Sequence, residues 1–195
     1  DASDYDQPEA GGPVFMELGA HARSCASRLQ FFPDNLVLEP RGSGEVRVRM
    51  EAGDSTCWSL VFVQSMARAA TGIRVAQRIG VKVYGVPAGA SPAGEIREAA
   101  VVGDAKTGRR LELAFANVGS TPIRPEGEVE VRSEVGEIVA VVPVAPFSVL
   151  PGRVARTQVA LDLELAPGTY VLVPILDFGG DYLAGGQAVL RVGSP

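Results

Sequence analysis

Between residues 73 and 84 the chain alternates hydrophobic and polar side chains with period two. Ile73, Val75, Gln77, Ile79, Val81 and Val83 hold one set of positions. Arg74, Ala76, Arg78, Gly80, Lys82 and Tyr84 hold the other. Side chains point to opposite faces of a strand, so this stretch predicts a long β-strand with an apolar face and a basic face. It runs into Gly85-Val86-Pro87 and then residues 88–94, Ala-Gly-Ala-Ser-Pro-Ala-Gly, whose composition is that of a linker.

The same pattern organises the rest of the chain. Upstream, 14–18 is a short apolar run, 21–28 is ambiguous between loop and helical turn, and 45–50 alternates Val46, Val48 and Met50 against Arg47 and Arg49. Residues 57–63 form a β-rich run after the turn signals of 53–56, and 65–72 reads as a loop. Downstream, strands are expected over 95–102, 110–116, 127–132, 138–144, 154–163, 168–176 and 187–192, with turn residues between them. Tyr170 follows a Pro-Gly turn at a strand entry, where its hydroxyl can bond back to the turn as in a tyrosine corner. No stretch has the periodicity of a long amphipathic helix. The fold class is therefore all-β, as two tandem β-sandwich domains over 13–87 and 95–195 joined by 88–94. Residues 1–12, acidic and without periodicity, read as a flexible arm.

Composition agrees with that organisation. The chain has 195 residues, 46% apolar and 21% charged, which suffices for two cores. Its 23 glycines and 14 prolines are spread as turn punctuation. A net charge of −5 argues against nucleic acid as a partner. The longest nearly apolar run, 138–150, is too short to span a bilayer and carries Pro143 and Pro146. The first residue is Asp1 rather than methionine, which fits a cleaved secretory signal or a trimmed chain alike. Cys25 and Cys57 are an even count without CxxC spacing, read as one disulfide in an oxidising compartment, with two buried free thiols as the alternative.

No enzyme is expected. The only histidine, His21, lies in a polar stretch, and no serine sits in a Gly-x-Ser-x-Gly elbow. One histidine and two separated cysteines do not make a zinc site. Asp177-Phe178-Gly179 matches a kinase magnesium motif in letters only, and Asp177 and Asp181 read as turn acids. No phosphate loop or cofactor fingerprint is present, so neither cofactor nor metal is anticipated.

The alternating strand, its ending Lys82-Val83-Tyr84-Gly85-Val86-Pro87, and the upstream Leu36-Val37-Leu38-Glu39-Pro40-Arg41-Gly42 with its following strand resemble the PapD-like periplasmic chaperones of pilus assembly. The resemblance covers roughly residues 31–92 by motif. It implies two immunoglobulin-like domains and a strand lent to a pilin-like subunit, which is β-augmentation. Ile73, Val75, Ile79 and Val81 would fill the subunit's groove, and Lys82 would anchor a terminal carboxylate. Three features depart from the family. Gln77 interrupts the apolar row, no first strand with its arginine is visible, and the first domain has only about five strands against the roughly seven of such a sandwich. These departures motivate a second expectation, an accessory subunit bound permanently to a larger envelope or membrane-associated complex.

Overall fold

The structure is a computed structural model that describes residues 1–9, 12–66, 76–104 and 107–193. Its described residues are all-β, with antiparallel sheets and a single 3-10 turn, Ala26–Arg28. No helix among them is long and apolar enough to cross a membrane. The chain divides into two compact units, Asp1–Asp6 with Pro13–Gly89 and Gln7–Gly12 with Ala90–Pro195.

The first unit contains β1 (Ala2–Asp6), β2 (Val14–Met16), β3 (Leu29–Phe32), β4 (Arg47–Met50), β5 (Cys57–Met66) and β6 (Ala76–Gly85). Four of them form a sheet in the order β2-β1-β5-β6, and β3 pairs with β4 separately. The β-rich run that begins at Cys57 supplies the centre of the sheet. Alternation places Trp58 and Leu60 on one face, where they are buried with Tyr5 of β1. Ser59 and Val61 lie on the other face with Asp4, all three buried. Residues 23–25 bond the β5 backbone at Trp58, and from there Ser24 and Cys25 reach this second face. There the Cys25 backbone N–H donates to Ser59 Oγ at 3.0 Å, and a disulfide joins Cys25 to Cys57.

Over residues 1–9 the expected flexible arm is instead structural. Within it, β1 pairs with β2 and β5 and carries two fully buried side chains, Asp4 and Tyr5. A buried carboxylate survives only when hydrogen-bonded. Asp4 accepts the His21 N–H at 3.1 Å, the Ser24 hydroxyl, and the Ser59 hydroxyl at 3.5 Å. Residues 7–9 belong to the second unit. Gln7 Oε1 accepts the Leu150 N–H at 2.9 Å, and the Glu9 carbonyl accepts the Arg156 N–H at 2.8 Å.

Tyr5 donates its hydroxyl hydrogen bond to the Tyr84 hydroxyl at 3.3 Å. Burial, reinforced by Tyr84, pushes the Tyr5 phenol well above its ordinary range. The folded state then holds this proton more tightly than the unfolded chain. Its contribution is complete below the unfolded value of about 10 and is lost as pH rises above it. Urea midpoints are expected to fall as pH increases past that point, and Tyr5→Phe should flatten the decline. An equally steep decline in the variant would place the alkaline sensitivity elsewhere.

The second unit contains β7 (Gly94–Val102), β8 (Arg110–Asn117), β9 (Glu126–Arg132), β10 (Ile138–Val144), β11 (Val154–Ala160), β12 (Gly168–Asp177), β13 (Ala184–Gly185) and β14 (Ala188–Val192). A five-stranded sheet runs β10-β9-β12-β13 with β14 also on β12, and a three-stranded sheet runs β11-β8-β7. Their inward positions build one core. Leu111, Leu113 and Phe115 come from β8, Val129 and Val131 from β9, Leu172 and Leu176 from β12. This is a sandwich-like packing in which period-two strands each bury one face. The Tyr170 hydroxyl donates to the Ala166 carbonyl at 2.9 Å, the bond expected of that residue.

Candidate functional site

Among the described residues, strand β6 ends its sheet, paired with β5 on one side only. The pairing runs without a register shift from Cys57↔Gly85 to Met66↔Ala76. In β5, the Phe62 N–H bonds the Asp1 carbonyl and the Trp58 N–H bonds the Arg23 carbonyl, so even-numbered residues there face away from β6. Odd-numbered residues of β5 face β6, and each is registered with an odd-numbered residue of β6. The backbone N–H and C=O groups of Arg78, Gly80, Lys82 and Tyr84 therefore point outward from the sheet. That row is a template for another strand.

The side chains of β6 are exposed from Ala76 to Lys82. Ile79 is 65% exposed and Val81 51%, and beside them on the same face Val63 of β5 is 59% exposed. Toward the other end the same face closes. Val83, registered with buried Ser59, is partly covered. A strand whose apolar row was expected to serve either a core or a partner thus leaves its outer half unused by its own unit.

The opposite face is basic. The Arg78 guanidinium lies 3.7 Å from the Phe62 ring centroid and bonds Asp1 at 3.0 Å. Lys82 Nζ stands 5.8 Å from the Tyr5 ring centroid. Gly80 lies between them, and a Cβ there would come within 3.0 Å of the Phe62 ring. Of the residues singled out by sequence, Gln77, Ile79 and Val81 share one face and Lys82 occupies the other. Ile73 and Val75 lie outside the described residues. No family model, curated protein or solved structure matches this chain.

Four other sheet edges are treated differently. β10 carries Pro143 and a register shift between Ile138 and Ala140, and β7 a shift between Ile96 and Glu98. β2 is three residues long. The Arg156 N–H of β11 is taken by Glu9. Prolines, bulges, shortness and cover are the usual ways in which a sheet edge is blunted. Among these, β6 combines full length, regular pairing and exposure.

The remaining candidates take structural places. His21 packs 4.8 Å from the Trp58 ring, accepts the Arg23 N–H at Nδ1 and has Nε2 3.8 Å from Asp6. Asp177 accepts the Gly179 N–H at 2.8 Å within its turn. Sequence reasoning overlooked Val63. Its signal was present, because residues 57, 59, 61 and 63 continue one period-two row whose far end lies beside Ile79.

Proposed function

We propose that this protein is a non-enzymatic binding protein that takes an extended segment of a partner protein onto the outer edge of β6. The observation that carries this reading is a ten-residue edge strand in unbroken register, exposed and apolar on one face. Backbone groups supply affinity in such an arrangement, and alternate side chains supply selectivity. Reading both units as immunoglobulin-like, and the partner as a pilin-like subunit served by a PapD-like chaperone, belongs to the same proposal. The Cys25–Cys57 disulfide supports an oxidising compartment such as the periplasm.

A second reading, permanent attachment to an envelope or membrane-associated complex, draws on another feature of the first unit. Phe32, Leu36, Val37 and Leu38 are all exposed. A group of apolar side chains left in water suits a lasting interface more than a passing one.

Two variants at one position test the edge itself. Lys82→Ala and Lys82→Pro both remove the charge, but only proline removes the outward N–H. Lys82→Pro is expected to abolish partner capture in co-purification from the native envelope, with Lys82→Ala retaining it at least in part. Equal capture by the two would refute strand addition at this edge. If a captured partner stays bound stoichiometrically through high-salt washing, the permanent-subunit reading prevails over the chaperone reading.

A further inference from the structure

The cations of β6 specify the kind of strand it can accept. Although the chain as a whole carries a net charge of −5, the only charged residues within β6 are Arg78 and Lys82. They stand four residues apart on one face, at positions whose backbone groups point outward. Lys82 pairs with no carboxylate among the described residues, its near neighbour being the Tyr5 ring. Arg78 holds Asp1 in an exposed pair, a contact of little energetic weight. Gly80 between them contributes no side chain, so nothing on β6 separates the two cations.

A second copy of the chain meets like charges on this edge in two of its symmetric pairings. Antiparallel self-pairing centred on Gly80 sets Arg78 opposite Lys82 and Lys82 opposite Arg78. In-register parallel pairing sets each cation opposite itself. Like charges directly opposite destabilise a ladder, and opposite charges strengthen it. The apolar face sets the complementary demand, because Ile79, Val81 and Val63 are exposed together and gain from apolar side chains laid beside them.

We propose that β6 selects an extended partner segment with two acidic residues four positions apart and apolar residues next to each of them on the inner side. The acids would stand opposite Arg78 and Lys82, and the apolar residues opposite Ile79 and Val81. This inference rests on the strand-addition reading of β6 and adds the chemistry of the occupant.

The test uses the full chain and three blocked, dye-labelled peptides that differ only in a five-residue core. The cores are Glu-Val-Thr-Val-Glu, Gln-Val-Thr-Val-Gln and Lys-Val-Thr-Val-Lys. The glutamate peptide is expected to bind about tenfold more tightly than the glutamine peptide, as two cross-strand ion pairs of up to roughly 1 kcal/mol each would give. The advantage should shrink near about 1 M salt, where the Debye length falls to about 3 Å. Arg78→Glu with Lys82→Glu should reverse the order in favour of the lysine peptide. Arg78→Glu alone makes antiparallel self-pairing complementary, so that variant should form a concentration-dependent dimer in sedimentation while the parent chain does not. Equal binding of the three peptides overturns the charge selection and leaves strand addition standing. Binding of none, together with equal partner capture by Lys82→Pro and Lys82→Ala, overturns both. A parent chain that dimerises through β6 makes a second copy the occupant and also overturns the inference.

Discussion

Replacing Cys25 and Cys57 together by alanine is expected to lower the stability of the first unit by about 3–4 kcal/mol. The bridge closes a loop across a sequence separation of 32 residues, and the chain-entropy relation for a loop of that size gives about 3.7 kcal/mol at room temperature. The loss would weigh heavily because this unit has little else to draw on. Its fully buried large side chains are Trp58 and Tyr5, whereas the second unit buries Phe115, five leucines and three valines to the same degree. Small cores commonly depend on such a staple. The measurement is direct, since the chain has one tryptophan and Trp58 lies in the affected unit. Urea titration followed by tryptophan fluorescence should show the midpoint falling by more than about 1 M, given m-values of roughly 1–3 kcal/mol per molar urea. An unmoved midpoint would mean that segment 21–28 is held in place without the bridge.

Most strands of the second unit were legible because their alternation records a simple fact, one face in a core and one outside. β8 places Leu111, Leu113 and Phe115 inward where the sequence shows that row, and β9 does the same with Val129 and Val131. β1 was illegible for the converse reason. It turns an aspartate inward, and period-two reading treats an acid as a mark of the outer face. Asp4 is buried because of groups at 21, 24 and 59 whose proximity is a property of the fold alone. Without β1 the sequence offers about five strands for the first unit and no first strand; its described residues form six.

The candidate site divides in the same way. The basic and apolar faces of β6 could be read from parity, including the separation of Lys82 from Ile79 and Val81. That β6 lies at the edge of its sheet, and which of its amides point outward, followed only from strand order and register. Pairing is a relation between distant segments, and an exposed edge and a buried one have the same local alternation.

Asp4→Ala is expected to cost about 3 kcal/mol. The substitution removes the acceptor of the His21 N–H and of the Ser24 hydroxyl, both partly buried, and a donor left without a partner away from water costs roughly 1–3 kcal/mol. Asp4→Asn should cost less, because its carbonyl oxygen keeps one of these bonds while its NH2 group meets donors. The network extends beyond the carboxylate. Ser24 Oγ accepts the Ala26 N–H at 3.1 Å, Ser59 Oγ accepts the Cys25 N–H at 3.0 Å, and Ser59 Oγ also reaches Asp4. The carboxylate and the disulfide thus hold the same segment to the sheet, one through hydrogen bonds from its start to β1 and the other through the covalent bond from Cys25 to β5. Devices that restrain one segment are not additive. Once the bridge is absent and 21–28 is free to lift, the donors that Asp4 satisfies can reach water, so its removal should cost less than in the bridged protein. Urea midpoints of the parent, Asp4→Ala, the double cysteine variant and their combination form the cycle that measures this coupling. A coupling of at least about 0.5 kcal/mol is expected. Strict additivity would mean that the carboxylate stabilises β1 alone, and that the bridge by itself holds the segment to β5.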